Sequence, residues 1–224
     1  MATAFDPTLY LVTDTAMCGP RGVTATVRAA VVGGVTAVQL RDHAATTREL
    51  CAAATDLLDA LAGTNVAVIV NDRLDVALAV GADGVHLGQQ DLPVTAARRL
   101  AGDDLIIGLS TSRAEQIERV NALPPGTVSY IGIGPVFFTT TKPHAATPVT
   151  VARVAELCPT SSVPTVAIGG INASNVAAVR ATGISGIAVV SAICTADDPQ
   201  AAAAALHEGV ALGVGTALHL DATR

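Results

Sequence analysis

The chain has 224 residues, 50% of them hydrophobic and 14% charged, with a formal net charge of −6 at pH 7 and a sequence pI near 5.2. That length suits one large α/β domain, and the apolar content excludes the low-hydrophobicity, high-charge signature of disorder. The acidic balance argues against a general grip on nucleic acid or anionic membranes, and two Tyr, three Phe and no Trp leave no stacking platform for single strands.

Short β-branched runs alternate with longer Ala-rich stretches whose apolar residues recur at helical spacing. In chain order the pattern predicts a strand over Leu9–Thr13 and a helix over Thr24–Val32, then strand Ala37–Leu40 and helix Thr46–Leu61. Val66–Val70 precedes a helix over Arg73–Val80, and Gly84–Leu87 precedes Val94–Leu100. Leu105–Leu109 leads to Ser112–Ala122, and Tyr130–Ile133 to Val149–Leu157. Thr165–Ile168 with Ala173–Ala181 and Gly186–Val190 with Pro199–Val210 complete the series. The spacing is about 28 residues per unit, the rhythm of a (β/α)8 barrel. A single α/β domain over residues 1–224, a TIM barrel, is therefore expected, and residues after about 213 form a C-terminal tail, where flexibility concentrates. A doubly wound open sheet would gather its polar residues at one switch point, whereas here they close nearly every strand.

Residues Met1 to Pro7 hold no basic region and no apolar core before Asp6, so no signal peptide is read there and a cytoplasmic location is expected. Cys18, Cys51, Cys158 and Cys194 lie far apart without a CxxC pair, which favours buried, reduced thiols over a zinc or disulfide framework. The apolar tracts near 181–196 and 201–218 are too short, or are broken by His207, Glu208 and glycines, to span a membrane.

In a parallel barrel the ligand face lies at the strand C-termini. Gln39 and Arg41 stand two apart on the second strand and so point to the same side, where a guanidinium forms an anion fork. A structural ion pair of Arg41 with Asp42 or Asp72 is the plainer alternative. Asp72 and Asp91 end consecutive strands; they suit one hard cation such as Mg2+ and equally suit the starts of the helices that follow. Gly169-Gly170 ahead of a helix, with Ser191 after the last strand, matches the phosphate-binding loops of barrels. Lys142 sits on a long loop after the sixth strand, either over the mouth or as a solvated lysine. His86 reads more readily as a histidine that holds neighbouring loops than as an acid or base. Ser110 lacks the G-x-S-x-G context of a hydrolase nucleophile.

Taken in order, these segments resemble the thiamine-phosphate synthase family, also called thiamine-phosphate pyrophosphorylase. The resemblance rests on Val38-Gln39-Leu40-Arg41-Asp42, Val70-Asn71-Asp72-Arg73, Gly81 to Gln89 with Asp91-Leu92-Pro93, and Ile107-Gly108-Leu109-Ser110. It continues through Ile133 to Phe137, Thr139 to Lys142, and Ala167-Ile168-Gly169-Gly170-Ile171. The family joins 4-amino-5-hydroxymethyl-2-methylpyrimidine diphosphate to 4-methyl-5-(2-hydroxyethyl)thiazole phosphate. The resemblance implies that Gln39, Arg41, His43, Asn71, Ser110 and Lys142 hold the pyrimidine diphosphate, with Arg41, Ser110 and Lys142 catalytic. It implies one Mg2+ per active site on Asp72 and Asp91, and a thiazole phosphate on Thr139, Thr141, Gly170, Val190 and Ser191. The implied mechanism is dissociative and needs no enzyme nucleophile.

Two departures stand out. His43 occupies a position that is usually lysine in the family, and Ser112-Arg113 replace the Thr-His often found there. A thiazole tautomerase of the same superfamily is the nearest rival, disfavoured because it has no diphosphate for Arg41, Lys142, Asp72 and Asp91 to neutralise. A catalytically silent phosphate-sensing module is the rival from another class. The expected partners are small phosphorylated molecules, not nucleic acid or membrane, and homo-oligomerisation stays open.

Overall fold

Side chains alternate along a strand, so each strand of a barrel supplies one set to the lumen and another to the surrounding helices. The computed structural model describes residues 5–139 and 147–220, with side chains to residue 210. Its eight parallel strands close in sequence order: β1 (Leu9–Val12), β2 (Ala37–Leu40), β3 (Ala67–Asn71), β4 (Gly84–Leu87), β5 (Ile106–Thr111), β6 (Tyr130–Ile133), β7 (Thr165–Ile168) and β8 (Gly186–Val189). Closure comes from β8 against β1, with Leu9 opposite Ile187 and Leu11 opposite Val189. The expected (β/α)8 barrel is thus the observed fold.

The helices are α1 (Thr15–Cys18), α2 (Val23–Val32), α3 (Thr47–Ala60), α4 (Leu74–Val80), α5 (Val94–Ala101), α6 (Ala114–Asn121), α7 (Val151–Leu157), α8 (Val176–Arg180), α9 (Ser191–Cys194) and α10 (Pro199–Leu220). Local chemistry sets their limits. Thr46 and Glu49 form a reciprocal capping box that starts α3, and Gly81 ends α4 in the left-handed conformation at φ 70°. α8 begins later than the predicted Ala173, because the Asn172 carboxamide oxygen accepts from the Ser174 amide at 2.9 Å and hydroxyl at 2.6 Å, which holds a turn there. The Val149 amide is taken by the Pro135 carbonyl at 2.7 Å, and α7 starts two residues beyond it. α10 runs past its predicted end at Val210. The single-turn helices α1 and α9 lie below the length at which periodicity is readable. Among the described residues no helix is long and apolar enough to cross a membrane. All four cysteines are unbonded; Cys18, Cys158 and Cys194 are buried as expected, whereas Cys51 on α3 is only half-buried.

Two apolar cores result from the alternation. Outward residues such as Leu11, Val38, Val70, Val85, Ile107, Ile131 and Ile187 pack under the helices. Each such side chain contributes about 1.5–3 kcal/mol by leaving water. Tyr10, Val12, Ala37, Ala67, Ile69, Ile106, Tyr130, Val166 and Ala188 fill the lumen. Small residues make room there for large ones: Gly108 stands directly opposite Tyr130 in the ladder. A Cβ at Gly108 would overlap the Tyr130 ring and hydroxyl and come within 2.5 Å of His86 Nδ1. Gly108→Ala is therefore expected to destabilise the protein by about 1–3 kcal/mol, read as a lowered urea midpoint at unchanged m-value.

Candidate active site

A cavity of about 580 Å3 opens at the C-terminal ends of the strands. Gln39, Arg41, His43, Asn71, Asp72, Asp91, Ser110, Thr139, Gly170, Val190 and Ser191 all line it, so every described residue singled out from the sequence converges on one space. Thr141 and Lys142 lie outside the described residues.

The first two strands set the guanidinium. Thr13, fully buried just after β1, accepts the Arg41 amide at 3.1 Å. Asp14 caps α1 by accepting the Met17 amide at 3.0 Å, and its second oxygen lies 3.6 Å from Arg41 Nη1. The ion partner of Arg41 is thus Asp14, not the Asp42 or Asp72 considered from the sequence. Asp42 instead organises the loop: a hydrogen bond from the Thr15 side chain, then the amides of Ala44 and Ala45, hold its carboxyl below the usual range.

Asp72 follows β3 at φ 60°, a left-handed conformation that Asp tolerates better than most residues, and its amide donates to the His86 carbonyl at 2.8 Å. Asp91 Oδ2 accepts the Gly88 amide at 2.6 Å. The N-cap positions of α4 and α5 are held not by Asp72 or Asp91 but by Arg73 and Pro93, neither of which makes a side-chain cap bond. The two carboxylates, from adjacent loops, line one cavity. Hard oxygen donors in that number suit Mg2+, which takes one or two carboxylates and completes its shell with water and substrate phosphate.

The far side is built by β6 and β7. Their pairing continues past the strands, Val136 N to Ile168 O at 2.9 Å and Phe137 N to Gly169 O at 3.0 Å, and this carries the chain to Thr139 at the cavity wall. Gly169 and Gly170 have φ of 105° and 67°, and a Cβ on Gly170 would come within 2.7 Å of Phe137 Cβ. Both positions thus require glycine for conformation and for close approach. Asn175 staples the turn, accepting the Asn172 amide at 2.9 Å and donating to the Gly170 carbonyl at 3.0 Å. Val190 and Ser191, where α9 begins, face the same cavity.

Other lining residues went unassigned in the sequence. Tyr10 and Tyr130 fall there only within predicted strands, but in the lumen their hydroxyls meet at 2.9 Å, with Gln39 Nε2 donating to Tyr10 at 2.9 Å. Burial raises the pKa of both phenols. His86 is hydrogen-bonded, as expected, but inside the barrel and not between loops: Nδ1 meets Tyr130 Oη and Nε2 meets Ser110 Oγ, each at 2.9 Å. Gln89 Nε2 donates to the Ser110 carbonyl at 2.7 Å, and Gln116 Oε1 accepts the amides of Ser112 and Arg113 at 2.7 and 3.1 Å. Alternation along β1 and β6 themselves is the signal that could have set Tyr10 and Tyr130 facing the lumen; their partners depend on register.

A closed barrel with its polar side chains gathered around one cavity at the strand ends defines a (β/α)8-barrel enzyme that takes its ligands at that face. Comparison with known proteins narrows the class. The family described as thiamine monophosphate synthase matches residues 9–193. The thiamine-phosphate synthase of Chloroflexus aurantiacus is 47% identical over 207 residues, covering 92% of this chain and 94% of that protein. That of Psychrobacter sp. (strain PRwf-1) is 46% identical over 195 residues, 87% of this chain and 91% of the relative. Among solved structures, thiamine phosphate pyrophosphorylase from Pyrococcus furiosus superposes with a TM-score of 0.84 at 35% identity, covering 94% of this chain and 98% of that one. A 3-hexulose-6-phosphate synthase, at TM-score 0.63 and 18% identity, shares the barrel alone. This chain belongs to the thiamine monophosphate synthase family.

Asn175→Ala removes both ties of the diglycine turn. It is expected to lower stability by about 1–3 kcal/mol, measured by urea denaturation.

Proposed function

We propose that the protein is a cytoplasmic transferase of thiamine biosynthesis that condenses 4-amino-5-hydroxymethyl-2-methylpyrimidine diphosphate with 4-methyl-5-(2-hydroxyethyl)thiazole phosphate. The products are thiamine phosphate and diphosphate. Beyond family membership, one observation carries this reading: a single cavity is lined by Arg41, Asn71 and Ser110 from the β2, β3 and β5 units and by Gly170 and Ser191 from the β7 and β8 units. Two anionic substrates can therefore meet with their reacting atoms between the anchors, as a condensation requires.

The reaction breaks the bond between the pyrimidine methylene and the diphosphate oxygen and forms one from that carbon to the thiazole nitrogen. The electron-rich aminopyrimidine carries the positive charge between these events, so the protein supplies no nucleophile. Arg41, steadied by Asp14 and by the Thr13 contact to its backbone, faces the departing negative charge. His43 and Lys142 are assigned to the same anion, and Asn71 and Ser110 orient it. Thr139, Thr141, Gly170, Val190 and Ser191 place the thiazole phosphate, and the bound substrates filling the cavity keep water from the carbocation. Asp72 and Asp91 would hold Mg2+, which when bound supplies Lewis-acid neutralisation of the diphosphate.

Incubation with both substrates is expected to yield thiamine phosphate with Mg2+ and none after chelation. Binding of thiazole phosphate without product at any Mg2+ concentration would overturn the reading. Asp72→Asn is expected to lower kcat by about 10²–10³-fold in the same assay. At His43 the decisive quantity is KM for the pyrimidine diphosphate: Ala should raise it and Lys should hold or lower it, whereas unchanged values in both variants remove His43 from the site.

A further inference from the structure

We propose that His86 is a positioning residue, held in one tautomer by a hydrogen-bond chain through the barrel lumen so that Ser110 presents its hydroxyl proton to the ligand. The inference rests on the reading above in one respect: a diphosphate beside Ser110 accepts hydrogen bonds and donates none.

The chain has a direction. Gln39 Nε2 donates to Tyr10 Oη at 2.9 Å. That phenol has one proton, and Tyr130 Oη, 2.9 Å away, is the acceptor to which its O–H donates in this direction of the chain. Tyr130 in turn has one proton to give and meets His86 Nδ1 at 2.9 Å. A neutral imidazole that accepts at Nδ1 carries its proton on Nε2, which lies 2.9 Å from Ser110 Oγ. Ser110 then receives a hydrogen bond from below, and its own proton turns to the cavity that Ser110 lines. With every link oriented this way, each buried donor in the series has an acceptor, which is what burial demands.

The lumen is shaped around this chain. Tyr10 and Tyr130 are 1% and 0% exposed, and Phe5 stacks on Tyr130 with ring centroids 4.2 Å apart. Gly108 and Gly132 frame the imidazole. A Cβ at Gly108 would intrude on Nδ1 and Tyr130, while one at Gly132 would lie 3.5 Å from His86 Cε1. Desolvation keeps both phenols protonated, so each remains a donor over the working pH range. The opposite direction is chemically complete only with the Gln39 carboxamide turned over, and it would leave Ser110 donating to His86, with only lone pairs for a phosphate oxygen. An acceptor-only ligand selects against that arrangement.

The test has two arms. Imidazole 15N NMR of the wild-type protein, with the His86 signals identified by their loss in His86→Gln, is expected to show a protonated Nε2 and a bare Nδ1; a proton on Nδ1 overturns the proposal. In steady-state kinetics Tyr130→Phe is expected to lower kcat about tenfold with KM for the pyrimidine diphosphate nearly unchanged. Combining it with Ser110→Ala should add no further loss, because both changes act through the same hydroxyl; multiplicative losses overturn the assignment. His86→Gln, whose amide can still donate to Ser110, should retain more activity than His86→Leu, and equal losses mean that the ring only fills space. The two readings fail differently. A protein that makes no thiamine phosphate yet shows the Nε2 proton defeats the synthase reading, whereas an active enzyme with the Nδ1 proton defeats this one.

Discussion

Pairing of β8 with β1 is the contact on which the rest of the molecule depends. Once that edge is closed, eight parallel strands share one direction around a ring, and the residues at their C-terminal ends face a common space. Arg41, Asp72, Asp91, Ser110, Gly170 and Ser191 come from six different units, and no two of the six are nearer than 19 positions in the sequence. An open sheet of the same strands would divide them between its edges and its centre.

Closure also creates a lumen too narrow for large residues at every level. Ala37, Ala67, Gly108 and Gly132 yield the space that Tyr10, Tyr130 and His86 occupy, so the floor of the site carries polar groups although the lumen around them is apolar. Polar groups at that depth must be paired with one another, and the resulting chain from Gln39 to Ser110 crosses between β2, β1, β6, β4 and β5. Strand pairing and site geometry are thereby coupled: a shift of register would break the chain as well as the ladder.

An acidic protein can hold anionic ligands because the relevant field is local. The net charge of −6 is spread over helices and loops, whereas Arg41 sits at the cavity, is only 13% exposed through its side chain and is fixed by Asp14. The diglycine turn lines the same cavity, and the absence of side chains there lets the chain after β6 approach it closely. The same economy of charge explains the high apolar content, since most of the chain is occupied in covering both faces of the sheet.

Alternating β-branched runs and Ala-rich helical stretches determined the fold by themselves, because hydrophobic periodicity is a local property and eight repeats of it admit a closed barrel. The identities of the strand-end residues were equally legible: Arg41, Asp72, Asp91, Gly170 and Ser191 are where their elements placed them. Partnerships were not. Arg41 takes Asp14 and not Asp42, Asp91 turns to Gly88 and not to a helix, and His86 points into the lumen between Tyr130 and Ser110. Each of these depends on which residues stand opposite across strands or adjacent loops, a matter of register and closure that separations along the chain do not encode. The one-turn helices α1 and α9 are of the same kind, being too short for periodicity and held by contacts at the barrel mouth that only the folded chain brings together.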